Sequence, residues 1–152
     1  MPRRAKILLA LLAAVLAWQV WQRFFVSEEA RVKAVLFGAA RAVETGDVLR
    51  LGEALAPDYG DDRGLDKASL VAAARGLRER YAELSIELRG LTVTIDPDSQ
   101  KARAAFVVRS LARPFEGSPQ TEIFADRCRL SLRKDAAGWR VVRAESPRLD
   151  SD

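Results

Sequence analysis

Histidine is absent from the 152-residue chain, and this absence limits the chemistry that the protein can perform. Imidazole is the side chain that most readily changes charge near neutral pH, orients a catalytic serine or binds a metal. Cysteine occurs once, at Cys128, so a disulfide within one chain is also excluded. The sequence therefore excludes histidine-containing triads, histidine general bases and histidine metal ligands.

Recognisable cofactor motifs are also missing. Nothing resembles a zinc site, a phosphate-binding glycine loop or a nucleophile elbow. Acidic residues crowd between residues 58 and 66, but their spacing is not that of a calcium-binding EF-hand. We therefore expect neither a metal nor another cofactor.

A basic excess is missing from most of the chain, although the net charge is +4. Residues 1–26 hold four basic residues and no acid, which leaves 21 residues of each sign in the rest. Nucleic-acid binders usually carry a clear basic excess, because phosphate contacts drive their affinity. The charge distribution thus argues against a nucleic-acid partner.

The N-terminal segment combines a basic start with an unbroken apolar run. Three basic residues among the first six precede residues 7–18, ILLALLAAVLAW, and further apolar residues follow as far as position 26. A bilayer span needs roughly 20 such residues, and Trp18 and Trp21 suit the membrane interface. The segment predicts a retained membrane anchor over residues 1–26, inserted through residues 7–26. A cleaved signal peptide is the alternative.

Both interpretations place the rest of the chain across the membrane. Positive charge before the apolar run holds the N-terminus in the cytoplasm. We therefore expect a single-pass protein of the inner (plasma) membrane. Residues 27–146 form its extracytoplasmic domain, periplasmic in a bacterium, and residues 147–152 form a polar tail.

Helical periodicity follows the apolar segment. Ser27 with two glutamates after it is typical of a helix start, and Gly46 ends this helix. A short second helix stops near Pro57, residues 58–64 are predicted as a polar loop, and Asp66 opens a third helix.

From residue 84 onward, apolar residues alternate with a period of two, which is typical of strands. Gly90 interrupts the alternation and the apolar side continues in the opposite phase, so we predict a β-bulge there. Turns near residues 96–99, 114–119 and 134–138 separate further strands. Helices followed by strands predict an α+β domain with three helices packed on an antiparallel sheet.

This order resembles the nuclear-transport-factor-2-like (NTF2-like) superfamily, which includes SnoaL-like and ketosteroid-isomerase-like proteins. The resemblance rests on the long helix ending at Gly46-Asp47, the short helix to Pro57, the helix start at 66–70, four long strands and the closing hairpin at 138–142. It implies a cone-shaped roll whose curved sheet and helices enclose a pocket. Enzymes of this family place an Asp, His or Tyr in the pocket, but the same fold also serves ligand binders and assembly modules.

Asp126 is the candidate catalytic residue. The period of two in residues 121–133 puts it on the strand face that also carries Phe124 and Cys128. A carboxylate on this face must find partners or favour its protonated form, which suits a general acid or base. The alternative is a structural ion pair with an arginine, or a position near the pocket mouth.

Aromatic residues complete the pocket that the resemblance implies. The candidate lining residues are Tyr59, Tyr81, Phe106, Phe124 and Trp139. The two tyrosines could supply hydroxyls beside Asp126, although core packing is the alternative for each. Cys128 is expected to be an inert buried thiol.

Arginines predict an interaction surface on the opposite face of the strands. Arg127, Arg129 and Arg133 share one face of their strand, and Arg103, Arg109 and Arg113 share a face of the preceding strand. If these sides coincide, an arginine-rich surface could meet anionic lipid headgroups or an acidic partner. We take Arg109, Arg127 and Arg129 as its candidate residues. The alternative is a solvated face balanced by glutamates.

Two classes of function follow. The first is a noncatalytic, membrane-tethered module that binds a partner protein or a small apolar ligand at the cell envelope. The second is a SnoaL-like enzyme (isomerase, dehydratase or hydrolase) that uses Asp126 with Tyr59 or Tyr81. The missing histidine and the tether favour the first class. A homodimer through the sheet face is a further expectation.

Overall fold

A computed structural model describes residues 3–25, 27–98 and 100–146 of the chain. The helices in this part are α1 (Arg3–Phe25), α2 (Glu28–Thr45), α3 (Val48–Ala54) and α4 (Lys67–Arg80). The strands are β1 (Leu55–Asp61), β2 (Glu83–Ile95), β3 (Lys101–Arg113), β4 (Thr121–Asp135) and β5 (Gly138–Glu145). They form one sheet in the order β1-β5-β4-β3-β2. The α+β class is confirmed, and the predicted polar tail, 147–152, lies outside the described residues.

The sheet is mixed, which corrects the expectation of a purely antiparallel sheet. Strands β2 to β5 pair antiparallel, but β1 pairs with β5 in parallel, with Leu55 opposite Val141. β1 covers Pro57 and most of the segment predicted as a polar loop. Proline and aspartate are poor strand formers, so this strand depends on its pairing with β5 rather than on a local pattern.

Side-chain caps begin the three helices of the domain, as the sequence predicts. The side-chain oxygens of Ser27, Asp47 and Asp66 accept hydrogen bonds from backbone N–H groups three residues later, at 3.1, 3.1 and 2.8 Å. Gly46 ends α2 with φ +75°, a left-handed conformation that glycine adopts without a Cβ clash. Local chemistry thus sets these boundaries.

The bulge predicted at Gly90 is confirmed. The register of β2 against β3 shifts between Arg89 and Thr92, and Gly90 has φ +63°. The shift moves the apolar residues of the second half of β2 onto the same side as those of the first half. Both halves therefore face the helices.

The sheet has an inner and an outer face. The inner face carries Ala102 opposite Leu132 and Ala104 opposite Leu130, and it belongs to the core that the buried Val32 and Leu36 of α2 complete. The outer face carries the odd-numbered residues of β3 and their partners on β2 and β4.

Glu28 links the start of α2 to the β4–β5 hairpin. Its Oε2 accepts a hydrogen bond from the indole N–H of Trp139 at 2.7 Å. Its Oε1 accepts from Lys134 at 3.0 Å and from Arg31 at 2.9 Å. One carboxylate therefore positions the core tryptophan, which is 5% exposed.

Helix α1 presents apolar side chains to its surroundings. Every leucine, isoleucine, valine and tryptophan from Ile7 to Trp21 is more than half exposed. Among the residues that the structure describes, no helix reaches the length and hydropathy of a bilayer span. The transmembrane helix therefore stays a prediction.

Candidate functional site

Asp126 lies on the inner face of the sheet, as its strand pattern predicts. It pairs with Val108, and its neighbours on the same face are the pairs Phe106–Cys128 and Ser110–Phe124. Its side chain is 27% exposed. The carboxylate is thus partly shielded from water and within reach of a molecule lying on the inner face.

Arg63 is the partner of this carboxylate. Its Nη2 lies 3.4 Å from Oδ2 of Asp126, while Oδ1 accepts the backbone N–H of Arg127 at 2.8 Å. The guanidinium carbon of Arg63 also lies 5.5 Å from the ring centroid of Phe124, a cation–π distance. Both oxygens of Asp126 are engaged, so a substrate proton would compete with these partners.

The turn after β1 positions Arg63. Oδ1 of Asp61 accepts the backbone N–H groups of Arg63 and Leu65, at 2.9 and 2.7 Å, in an Asx-type turn. The same turn places Asp62 against the end of β5, where its Oδ2 accepts the N–H of Ser146 at 2.8 Å. The acidic cluster of the sequence therefore shapes a loop that delivers one arginine to Asp126.

Tyr59 lies near Asp61, Asp62 and Cys128 and is 5% exposed. Burial, together with the charges of those neighbours, raises the pKa of its hydroxyl to about 12. The group is protonated at neutral pH, so it can donate a hydrogen bond but cannot act as a base.

Cys128 is also held in its neutral form. Burial raises the pKa of its thiol, with a further contribution from Asp126, and a hydrogen bond with Ser146 opposes the increase. A protonated thiol is a poor nucleophile. Cys128 is half-buried rather than fully buried as expected, and its inertness stays a prediction.

The structure gathers some of the predicted pocket residues and separates others. Phe106 and Phe124 lie beside Asp126 on the inner face. Trp139 pairs with Lys134, eight residues along β4 from Asp126 and roughly 25 Å away. Tyr81 caps the C-terminus of α4, where its carbonyl accepts from Arg78 at 2.6 Å. The lining role of these aromatic residues stays a prediction.

Two clefts lie on the helical side of the described part of the chain. One, of about 920 Å³, is bordered by α3 and α4 and includes Leu49, Lys67 and Arg75. The other, of about 400 Å³, is bordered by α2 and α3 and includes Gly38 and Trp139. Within the described residues, no group of three or more cysteine, aspartate and glutamate side chains could hold a metal ion.

The candidate interface arginines share the outer face, as predicted. Arg127 pairs with Val107, Arg129 with Ala105 and Arg109 with Ala125. Arg109 is bound to Glu122 and lies 3.8 Å from Glu87. Neither Arg127 nor Arg129 has an ion-pair partner among the described residues.

Sequence reasoning missed two residues that hold the predicted site residues: Arg63, which binds Asp126, and Glu28, which binds Trp139 at the other end of β4. Arg63 stands in a polar loop, 63 positions before Asp126. Glu28 reads only as a helix-start acid, although it binds Trp139 from 111 positions away. Pairs so distant leave no periodic signal.

No protein-family model matches the chain, and no curated protein matches it significantly. Solved structures do match. An NTF2-like protein with a cystatin-like fold from Novosphingobium aromaticivorans is 23% identical, with a TM-score of 0.64. The match covers 93% of this chain and 90% of that protein. An NTF2-like superfamily protein from Salmonella enterica is 12% identical, with a TM-score of 0.62. The match covers 77% of this chain and 89% of that protein.

A third match is a candidate scytalone dehydratase from Novosphingobium aromaticivorans. It is 12% identical with a TM-score of 0.63, and the match covers 76% of this chain and 79% of the other. Likenesses at these identities define the fold, which is NTF2-like. The fold alone does not assign an activity.

Proposed function

We propose that the protein is a noncatalytic NTF2-like module, attached to the cell membrane by α1, that binds a partner protein or a small apolar ligand on its extracytoplasmic side. The observation that carries the proposal is the apolar surface of α1. Large apolar side chains exposed all along a helix are stabilised by transfer out of water. The basic residues before the apolar run support an N-terminus on the cytoplasmic side.

The environment of Asp126 supports the noncatalytic assignment. Arg63 and the backbone of Arg127 engage both carboxylate oxygens, and Tyr59 and Cys128 are held protonated. The chain has no histidine, and the carboxylates near Tyr59, those of Asp61 and Asp62, already accept backbone N–H groups. A structural role for the Asp126–Arg63 pair therefore accounts for these contacts.

Vesicle flotation of the full chain tests the membrane attachment. The wild type should float with neutral phosphatidylcholine vesicles. Leu12→Lys should lower the vesicle–water partition about 100-fold, because a lysine at the centre of an apolar helix costs roughly 3 kcal/mol of insertion free energy.

Leu49→Lys is the matched control. Leu49 is 80% exposed but lies on α3, so this substitution should leave flotation unchanged. Equal losses in the two variants, or a wild type that remains in the aqueous fraction, would contradict attachment through α1.

A SnoaL-like enzyme is the second candidate. One observation favours it: Cys128 is close enough to interact electrostatically with both Asp126 and Tyr59, so three polar groups are near one another as in a reaction site. The dehydratase-named neighbour has the same fold.

Native mass spectrometry of the full chain in detergent separates the two candidates. For a noncatalytic module, Asp126→Asn should retain any copurifying small molecule or partner at the wild-type ratio. Loss of that molecule with an unchanged circular-dichroism spectrum would place Asp126 in the functional surface. Chemical conversion of the molecule by the wild type and not by the variant would establish the enzyme.

A further inference from the structure

The outer face of the sheet carries many basic side chains, although residues 27–152 as a whole have equal numbers of basic and acidic residues. β3 directs four of them there: Lys101, Arg103, Arg109 and Arg113. β4 directs three more: Arg127, Arg129 and Arg133. The neighbouring strands β2 and β5 add Arg89, Arg140 and Arg143 through their pairing with β3 and β4. A domain that is formally neutral thus has one strongly basic side.

The acidic residues around this face are already engaged. Arg113 binds Glu83, Arg109 binds Glu122, and Arg143 binds Glu145. At the margins, Asp58 binds Arg133 through two hydrogen bonds of 2.8 and 3.1 Å. The remaining acids pair in the same way: Glu87 with Arg89, Asp96 with Arg103 and Asp135 with Arg140.

Three cations of the face are left over. Lys101, Arg127 and Arg129 have no ion-pair partner in the described part of the chain. Arg127 and Arg129 stand two residues apart on the same side of β4, roughly 7 Å from each other. On β3 they pair with Ala105 and Val107, the latter 39% exposed. On β5, Arg129 is opposite Glu145, whose carboxylate binds Arg143. The uncompensated charge of the face is therefore entirely positive and lies next to small apolar side chains.

We infer that the outer face docks on anionic phospholipid headgroups of the membrane to which α1 attaches the chain. This inference rests on the attachment proposed above. Guanidinium groups bind phosphate oxygens in a bidentate manner, and an anionic bilayer attracts basic groups close to its surface. The tether keeps the face near the lipid, which raises its effective concentration there. A second copy of the chain is a less suitable partner for this face, because pairing two outer faces would bring positive charges together.

Energy transfer to a labelled lipid tests the docking in the full chain. A donor dye is placed on the outer face at Thr94→Cys or, as a control, on the exposed side of α4 at Ala73→Cys, each in a Cys128→Ser background. The protein is reconstituted in phosphatidylcholine vesicles with or without phosphatidylglycerol. We expect phosphatidylglycerol to raise transfer from Thr94→Cys and not from Ala73→Cys. The increase should vanish at 1 M salt, where the screening length is about 3 Å.

Charge removal gives the matched comparison. Arg127→Ala with Arg129→Ala should lower the ratio of docked to undocked domain about thirty-fold, since each basic group near an anionic surface raises it about five-fold. Arg75→Ala with Arg80→Ala removes the same charge from α4, and the ratio should stay at the wild-type value. Equal effects of the two double variants would overturn the inference.

The outcomes separate this inference from the attachment itself. A chain that floats with neutral vesicles but shows the same Thr94 transfer on both lipid compositions overturns docking and leaves the attachment intact. A chain that floats only with anionic vesicles, and only when Arg127 and Arg129 are present, supports the docking face and overturns attachment by α1. Transfer between Thr94 dyes on two copies, in place of transfer to lipid, would also overturn the inference in favour of self-association.

Discussion

Glu28 contributes to the structure in two ways, through its backbone and through its side chain. Its backbone begins α2 directly after the Ser27 cap. Its carboxylate receives Trp139, Lys134 and Arg31. Since the indole N–H is otherwise enclosed by the core, loss of this acceptor leaves a buried donor unsatisfied.

Replacing Glu28 should therefore destabilise the domain more than replacing its neighbour. Glu28→Ala should lower the free energy of unfolding by about 2 kcal/mol, because hydrogen bonds to a charged group are lost. Glu29→Ala removes only an exposed ion pair with Lys33 and should change it by less than about 0.5 kcal/mol. Urea unfolding followed by far-ultraviolet circular dichroism measures both. Equal changes would show that the Glu28 contacts add nothing.

Acid should weaken the same contacts. Partial burial raises the pKa of Glu28, but the hydrogen bonds from Lys134 and Trp139 and the nearby positive charges outweigh it and lower the pKa below its ordinary 4.5. The unfolded chain then binds more protons, so this stabilisation is complete above pH 4.5 and is lost as the pH falls through the lowered value.

The midpoint of urea unfolding, measured from pH 6 downward, checks this dependence. The wild type should lose more stability than Glu28→Gln as the pH falls below 4.5. Parallel curves for the two proteins would assign the acid sensitivity to other carboxylates.

Among the elements, β2 shows most directly how one residue shapes a strand. Gly90 adopts φ +63°, and a Cβ added there would meet no atom within 4 Å. Any cost of a side chain at this position therefore comes from the backbone conformation and not from crowding.

Gly90→Ala should lower the free energy of unfolding by about 1 kcal/mol, the cost of a left-handed conformation for alanine. Gly76→Ala in α4 is the opposite case, because Gly76 has no positive φ and equally open surroundings. It should raise the stability by up to about 1 kcal/mol through helix propensity. Thermal unfolding compares the two variants. Stabilisation by both would mean that the bulge does not require glycine.

The elements also show where sequence reasoning succeeds and where it stops. Helix caps and the Gly90 bulge depend on residues close in sequence, and the faces of β3 and β4 follow from alternation, so all were predictable. β1 was not, since Pro57 and Asp58 give no strand pattern and the parallel partner lies over 80 residues away. The Arg63–Asp126 pair was missed for the same reason: only the folded sheet brings the two together.

At the scale of the whole molecule, positive charge is divided between two places. One group precedes the apolar run at the N-terminus, and the other covers the outer face of the sheet. The first sets the orientation that we propose for the chain.

Removing the first group should disturb this orientation. In a bacterial host, a reporter phosphatase that is active only outside the cytoplasm, fused after residue 152, should be active in the wild type. Changing Arg3, Arg4 and Lys6 to glutamate should lower its activity several-fold, because the positive charge that retains the N-terminus is gone. The same change at Arg50, Arg75 and Arg80, which are exposed residues of the domain, is the control. An inactive wild-type fusion would contradict the proposed topology.

The outer edge of β2 is partly covered by α2. Glu44 of α2 accepts the backbone N–H of Ile86 at 2.7 Å, and β2 is an outermost strand of the sheet. An unpaired strand edge is a template on which another chain can add a strand and begin to aggregate. Because Glu44 occupies this donor with a charged carboxylate, α2 removes one backbone group of the edge from those that a second copy could pair with.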